Sequence, residues 1–431
     1  MINSKILKES ALYSLSGMIT QAINLITLVL LIRYLSKDDL GYYFYILEFI
    51  AIFAVLAENG YRSYYIRELS QTEDKISLLK ELQFSQISIV FIILCLTLIS
   101  SSFLTNDIWI IGIISLGTTL VNLFTPINAY IISEGNKKII FYKDIFIAIL
   151  RLVFFLYGFL NNVNIDYFLY FVYLQFLFLS IFWVYVKMKK FNFLFMISVD
   201  WSKSYKLIYN GFAFTLLVIL NLLYNKIDIL MLESMKGYTE VADYTSATKF
   251  LYPLMFFSSA FMISVFPKLS KYSKNEQMLM QIQNYSIKLI GMWGLLLSMV
   301  VWLVIDDVYI YLIGIEFHKS LLVYKVLLPY IPIVFMYGIV TNTIVAKHDT
   351  SFLVKINAGF LVLNIMLNLY FIKYYSSIGA AISTMFCEFL ILLVVFYYGY
   401  KKYNFRYPNK MIFVIFCILI IYYISLYKGY I

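Results

Sequence analysis

The sequence predicts an all-α, polytopic membrane protein: two six-helix lobes around a central cavity, and an extra helix at the C-terminus. Three observations carry that prediction. Apolar runs of about twenty residues, the length a bilayer requires, follow one another from end to end. Hydrophobic residues make up 62% of the 431 residues and charged residues only 13%, about half the charged share of a soluble domain. Finally, the two halves resemble each other at an offset near 200 residues. Backbone groups exposed to hydrocarbon must be satisfied within their own segment, so such runs are helices rather than strands.

The first six spans are expected near Leu12–Ile32, Leu40–Leu56, Leu82–Leu104, Ile108–Ile132, Ile139–Leu160 and Tyr167–Val186. The next six are expected near Leu207–Leu232, Tyr244–Phe266, Ile287–Ile305, Leu321–Val345, Phe352–Phe371 and Ser377–Tyr400. A thirteenth is expected near Met411–Leu426. Residues 1–190 form the first lobe, 191–206 a cytoplasmic linker with an amphipathic stretch, 207–402 the second lobe, and 403–431 the extra helix.

Basic residues alternate between loops. Arg62, Arg67, Lys75 and Lys80 follow span two, and Lys187, Lys189 and Lys190 follow span six. Asn106-Asp107 and Asn161-Asn162 mark base-poor loops on the other side. The positive-inside rule then places the N-terminus, with Lys5 and Lys8, in the cytoplasm. The net charge of +10 reflects this topology rather than nucleic-acid binding. No cleavable signal peptide is expected, because the first apolar run is of full span length.

The repeat shows in short motifs. LGYYFYILEF at the start of span two parallels VADYTSATKF at the start of span eight, and RELS at 67–70 parallels PKLS at 267–270. Both halves start inside, so the repeats are parallel, and transporters commonly place their substrate site at a repeat interface.

The sequence has no GxxxxGK[ST] loop for a nucleotide-driven motor and no Cys/His spacing for zinc. No cofactor is expected, and no catalytic domain fits the short loops, so the chain reads as a non-enzyme. Charges within spans are costly and tend to face a cavity or a partner. Arg151 lies midway along span five, with Lys143 two turns before it. It either pairs with a carboxylate such as Glu48 or binds an anionic substrate group. Lys226 and Lys249 lie in the outer parts of spans seven and eight and either snorkel or join the same site. Glu48, Asp228 and Glu388 are candidates for proton or sodium coupling, or for structural pairing. Asn221, Asn225 and Asp228 share a face of span seven, as do Asn357, Asn364 and Asn368 on span eleven and Gln21 and Asn24 on span one. Such stripes serve a hydrated interior or glue helices together. Pro126, Pro253, Pro329 and Pro332 fall within spans and can bend them.

LLIRYLSKDDLGYYFYI followed by AENGY at 57–61 resembles the opening of polysaccharide flippases, the Wzx-type branch of the multidrug/oligosaccharidyl-lipid/polysaccharide (MOP) exporter superfamily. NKIDILML, EVADYTSATKF and SVFPKLS look like the second-half signature of that family, and SIGAAIST resembles the start of its twelfth span. Two features depart from the pattern: Ala242 stands where the family has Gly, and thirteen spans replace twelve or fourteen. The resemblance implies a MATE-like core. It also implies flipping of a polyprenyl-pyrophosphate-linked oligosaccharide for an O-antigen-like surface glycan. Partners would be that lipid-linked glycan, membrane lipid and other polysaccharide-assembly membrane proteins, with no nucleic acid. Arg151 is then the first choice for the pyrophosphate, with Lys143, Lys226 and Lys249 behind it, and Asn221, Asn225, Asn364 and Asn368 for sugar hydroxyls. A multidrug or organic-cation antiporter of the same superfamily is the main alternative. A membrane glycan polymerase is a weaker one, because such enzymes need a larger outer loop.

Overall fold

The computed structural model describes residues 4–104, 107–134, 137–191, 200–347 and 349–405. Among these it contains fifteen α-helices and no strand. The proposed thirteenth span and most of the linker lie outside the described residues. The chain divides into two compact units, residues 1–226 and 227–431.

In the first unit, α1 (Ser4–Tyr34) packs along α7 (Lys137–Leu160), and α5 (Ile108–Asn122) along α8 (Ile165–Phe191). Expected span two appears as α2 (Lys37–Ala57), followed directly by α3 (Asn59–Gln71). Ser36 caps α2 by accepting the Asp39 N–H at 3.2 Å, which satisfies a donor the helix start cannot pair internally. Span three is α4 (Lys75–Leu104), and span four is α5 with α6 (Thr125–Ser133). The break between α5 and α6 precedes Pro126, whose ring and missing N–H suit the first turn of a new helix. The last helix to begin in this unit is α9 (Trp201–Lys236).

In the second unit, span eight is α10 (Tyr238–Leu251) and α11 (Phe256–Lys271), joined by a 3₁₀ turn that contains Pro253. Span nine is α12 (Glu276–Ile313). Span ten is α13 (His318–Leu327) and α14 (Tyr330–Ala346), divided at Pro329. Spans eleven and twelve form α15 (Thr350–Tyr403), which is broken at Ser376 with φ 54° and ψ −131°. At that break a Cβ on Gly379 would lie 2.1 Å from the Phe371 carbonyl oxygen. Only glycine permits so close a backbone approach.

Among the described residues, seven helices, or eight with the bent α10–α11 pair, are long and apolar enough to cross a membrane. Those helices run over α2–α6, α8 and α10–α15, whereas α1, α7 and α9 fall outside. Both α7 and α9 carry several charges: Lys143, Asp144 and Arg151 on one, Lys226 and Asp228 on the other. The protein is therefore a multi-pass membrane protein.

Several positions 200 residues apart are alike in helix end or burial. α3 ends at Gln71 and α11 at Lys271. Leu69 and Leu269, Leu79 and Leu279, and Gln83 and Gln283 are each buried. Lipid offers helices no hydrophobic drive to associate, so close packing at small residues must hold them. In the first unit a Cβ at Gly60 would sit 2.3 Å from Thr215 Cα, and one at Gly211 would sit 2.5 Å from the Tyr61 ring. In the second, Gly294 abuts Pro332 in the same manner, at 2.9 Å.

Candidate functional site

The two units each build a polar cluster. In the first, the Arg151 guanidinium donates from Nη1 to Asn24 Oδ1 at 3.0 Å and from Nε to Gln175 Oε1 at 3.2 Å. Arg151 is half-buried, and Gln175 is buried. Asn24 comes from α1, Arg151 from α7 and Gln175 from α8, so three helices orient one cation. Both acceptors are neutral amides, which fix the guanidinium without cancelling its charge. The pairing with Glu48 that the sequence left open is not made. Glu48, 7% exposed, instead pairs with Lys226 at 2.7 Å. Lys143 pairs with Asp144 at 2.9 Å and lines a cavity of about 260 Å³ between α2, α5, α6, α7 and α8. Arg151 does not line that cavity. Lys143 and Arg151 share a helix but occupy separate sites. Asn225 donates to the Asn221 carbonyl at 2.7 Å, and Asn221 is exposed. Gln21 is exposed too, while Asn24 on the same helix is half-buried.

The second unit centres on Asp228, which is 2% exposed. Tyr244 Oη and Thr384 Oγ1 donate to its Oδ2 at 2.5 and 2.8 Å, and Asn368 Nδ2 donates to Oδ1 at 2.6 Å. Asn368 Nδ2 also donates to Asn364 Oδ1 at 2.9 Å. Asn364 and Asn368 have no exposed surface. The sequence offered their amides to sugar hydroxyls; the geometry gives them to Asp228, the strongest acceptor within reach. The buried Asn368 Oδ1 and Asn364 Nδ2 have no partner. Carboxylate, amide and hydroxyl oxygens in one buried place form a donor set for a hard cation or a proton. No group of three His, Cys, Asp or Glu gathers among the described residues. Glu388, 1% exposed, accepts from Tyr337 at 2.8 Å, and Lys249 is half-buried at the end of α10.

Sequence reasoning missed Gln175, Tyr244, Thr384 and Gln86. Gln86 is fully buried. Its Nε2 donates to the carbonyls of Ala57, at 2.8 Å, and Asn122, at 2.9 Å, and its Oε1 accepts from Tyr65 at 2.9 Å. Ala57 ends α2 and Asn122 ends α5, so a single amide satisfies carbonyls freed at two helix breaks. A polar residue inside an otherwise apolar span, three residues from Gln83, was the available signal.

Fold and buried charges together describe a multi-pass helical membrane protein with ionisable groups held inside its helix clusters. Residues 6–273 match the family model for polysaccharide biosynthesis proteins, and residues 214–370 match the MatE model. The first match spans well over half of the chain, which belongs to the polysaccharide biosynthesis protein family. No curated protein sequence matches it. Among solved structures it is similar to the lipid II flippase MurJ in an inward closed conformation, with TM-score 0.76, 16% identity and coverage of 97% of this chain and 92% of that one. An inward-facing multidrug resistance MATE transporter gives TM-score 0.72, 13% identity and coverage of 89% and 94%. A MOP-superfamily transporter from Pyrococcus furiosus gives TM-score 0.66, 13% identity and coverage of 93% and 95%. At these identities the likeness establishes the fold.

Proposed function

We propose that the protein flips a polyprenyl-pyrophosphate-linked oligosaccharide from the inner to the outer leaflet of a bacterial cytoplasmic membrane, by alternating access, to supply an O-antigen-like surface glycan. The observation that carries this reading is Arg151, held inside the bundle by Asn24 and Gln175. Among the described residues no carboxylate pairs with it. An oriented guanidinium with uncancelled charge suits a pyrophosphate, whose oxygens accept its fork of donors. Lys143, Lys226 and Lys249 add positive field, and Asn221 and Asn225 remain candidates for sugar hydroxyls. The N-terminus lies in the cytoplasm, as the loop charges require. Asp228 carries coupling to a proton or sodium ion, with Asn364, Asn368, Tyr244 and Thr384 as its supports; Glu48 and Glu388 are held by Lys226 and Tyr337 and rank behind it.

The test is leaflet-resolved labelling of the lipid-linked glycan in cells. Arg151→Ala is expected to leave protein level unchanged and to trap the glycan on the inner leaflet. Normal surface glycan in that variant would remove Arg151 from the site. The MatE match over 214–370 favours the antiporter as the second reading. Its mark would be a drug-resistance phenotype with glycan export intact.

A further inference from the structure

A guanidinium can only donate hydrogen bonds. Asn24 and Gln175 therefore have to turn their amide oxygens to Arg151, as they do at 3.0 and 3.2 Å. Each amide is then left with its NH2 group. Among the described residues neither Asn24 Nδ2 nor Gln175 Nε2 has a hydrogen-bond partner, and neither does Arg151 Nη2. None of these three nitrogens is sealed off by the packing, although Gln175 as a whole is only 6% exposed. One helix each, α1, α7 and α8, thus brings an open nitrogen to the same place. All three nitrogens can only donate, and the two amide oxygens of the cluster are already engaged by Arg151.

We propose that Asn24 and Gln175 are specificity residues: their NH2 groups join Arg151 Nη2 in a donor-only cradle for a diphosphate, and their being amides rather than acids keeps that cradle positive. A bound cation needs acceptors from its site, and a sugar hydroxyl is served best by a donor and an acceptor together. An anion needs donors alone. A diphosphate presents more free oxygens than a single phosphodiester, so it can engage nitrogens from three helices at once where a phospholipid headgroup engages fewer. A carboxylate in place of either amide would accept from Arg151 more strongly. It would also cancel the charge that attracts the ligand and put an acceptor where the NH2 group stood. The inference rests on the proposed function and deepens it: it assigns the recognition of the pyrophosphate to two neutral side chains besides Arg151.

The test uses the full-length protein in detergent, with farnesyl diphosphate as the probe and calorimetric titration as the readout. The wild type is expected to bind it. Gln175→Glu and Asn24→Asp should each lose at least about tenfold in affinity, the worth of one hydrogen bond to a charged group. Both should melt no lower than the wild type, since the new carboxylate pairs with Arg151. Gln175→Leu frees the guanidinium but keeps its charge, so it should melt lower yet lose less affinity than Gln175→Glu. A residue needed only for packing would give the reverse order, with the near-isosteric acid the milder change. If Gln175→Glu does not fold, Asn24→Asp against Asn24→Leu decides. No binding by the wild type, wild-type affinity in the folded acid variants, or a greater loss in the leucine variant overturns the assignment. So does competition by phosphatidylglycerol or inorganic phosphate as strong as the probe's own. Leaflet labelling in cells separates this inference from the reading beneath it. Export lost in Arg151→Ala but normal in Gln175→Glu sinks the inference alone, whereas normal export in Arg151→Ala sinks the proposed function.

Discussion

The Glu240 carboxylate accepts the backbone N–H of Ser377 at 3.0 Å, across the break in α15. Four residues earlier, Lys236 donates to the Lys373 carbonyl at 2.9 Å. The anion therefore sits where the second half of α15 starts and the cation where the first half ends, each matching the local helix dipole. Lys319 also pairs with Glu240. Gly237, with φ 88°, lets the chain turn between Lys236 and Glu240.

Glu240 is thus a remote N-cap. Glu240→Ala is expected to cost about 1–2 kcal/mol, the range for losing a helix cap, seen as a lower melting temperature in detergent. Gly379→Ala is expected to be far worse, because its methyl would meet the Phe371 carbonyl. That variant should fail to accumulate, and normal levels of it would contradict the geometry of the break.

The Glu48–Lys226 pair predicts a non-additive cycle. Removing either charge takes the 2.7 Å ion pair from its partner, and Glu48→Leu or Lys226→Met alone should each cost up to about 3–5 kcal/mol. The double variant should recover most of that loss. If the two costs simply add in thermal melts, the pair is not a coupled unit.

Asp349, at the start of α15, carries a pH prediction. Burial would raise its carboxyl, but bonds from Lys402 at 2.6 Å, Tyr398 at 2.5 Å and Tyr403 at 2.7 Å outweigh that and hold it at about 2. A depressed carboxylate stabilises the fold above its unfolded value near 4. That contribution disappears as pH falls from about 4 towards about 2. Melting of the wild type should therefore drop across that window, and Asp349→Asn should flatten the drop while melting lower at neutral pH. An unchanged acid profile in Asp349→Asn would place the transition elsewhere.

Asp228→Asn is expected to reduce export and to remove its response to collapsing the ion gradients, with Arg151 unaffected. An export rate that responds to the gradients as the wild type does would exclude Asp228 from coupling.

The helices were legible because a bilayer forces apolar runs of a fixed length, and proline marked several breaks correctly. Pro126, Pro253 and Pro329 all stand at helix junctions. The gap between expected spans eleven and twelve falls on Ser376 itself. The partners of the charges were less legible. A helical face tells which side a residue occupies, not which residue a hundred positions away meets it. Arg151 therefore could not be joined to Asn24 or Gln175, nor Asp228 to Thr384, from spacing alone. Tyr244 was hidden among 40 tyrosines. Its Arg62, Arg67 and Glu68 make α3 read as a loop, yet Tyr61, Tyr64 and Tyr65 bury its inner side.

Gln86 ties the ends of α2 and α5 through one side chain. Neither rod can straighten alone without stripping a carbonyl of its Gln86 donor. A bend at either joint therefore strains the other, so one side chain couples the two breaks.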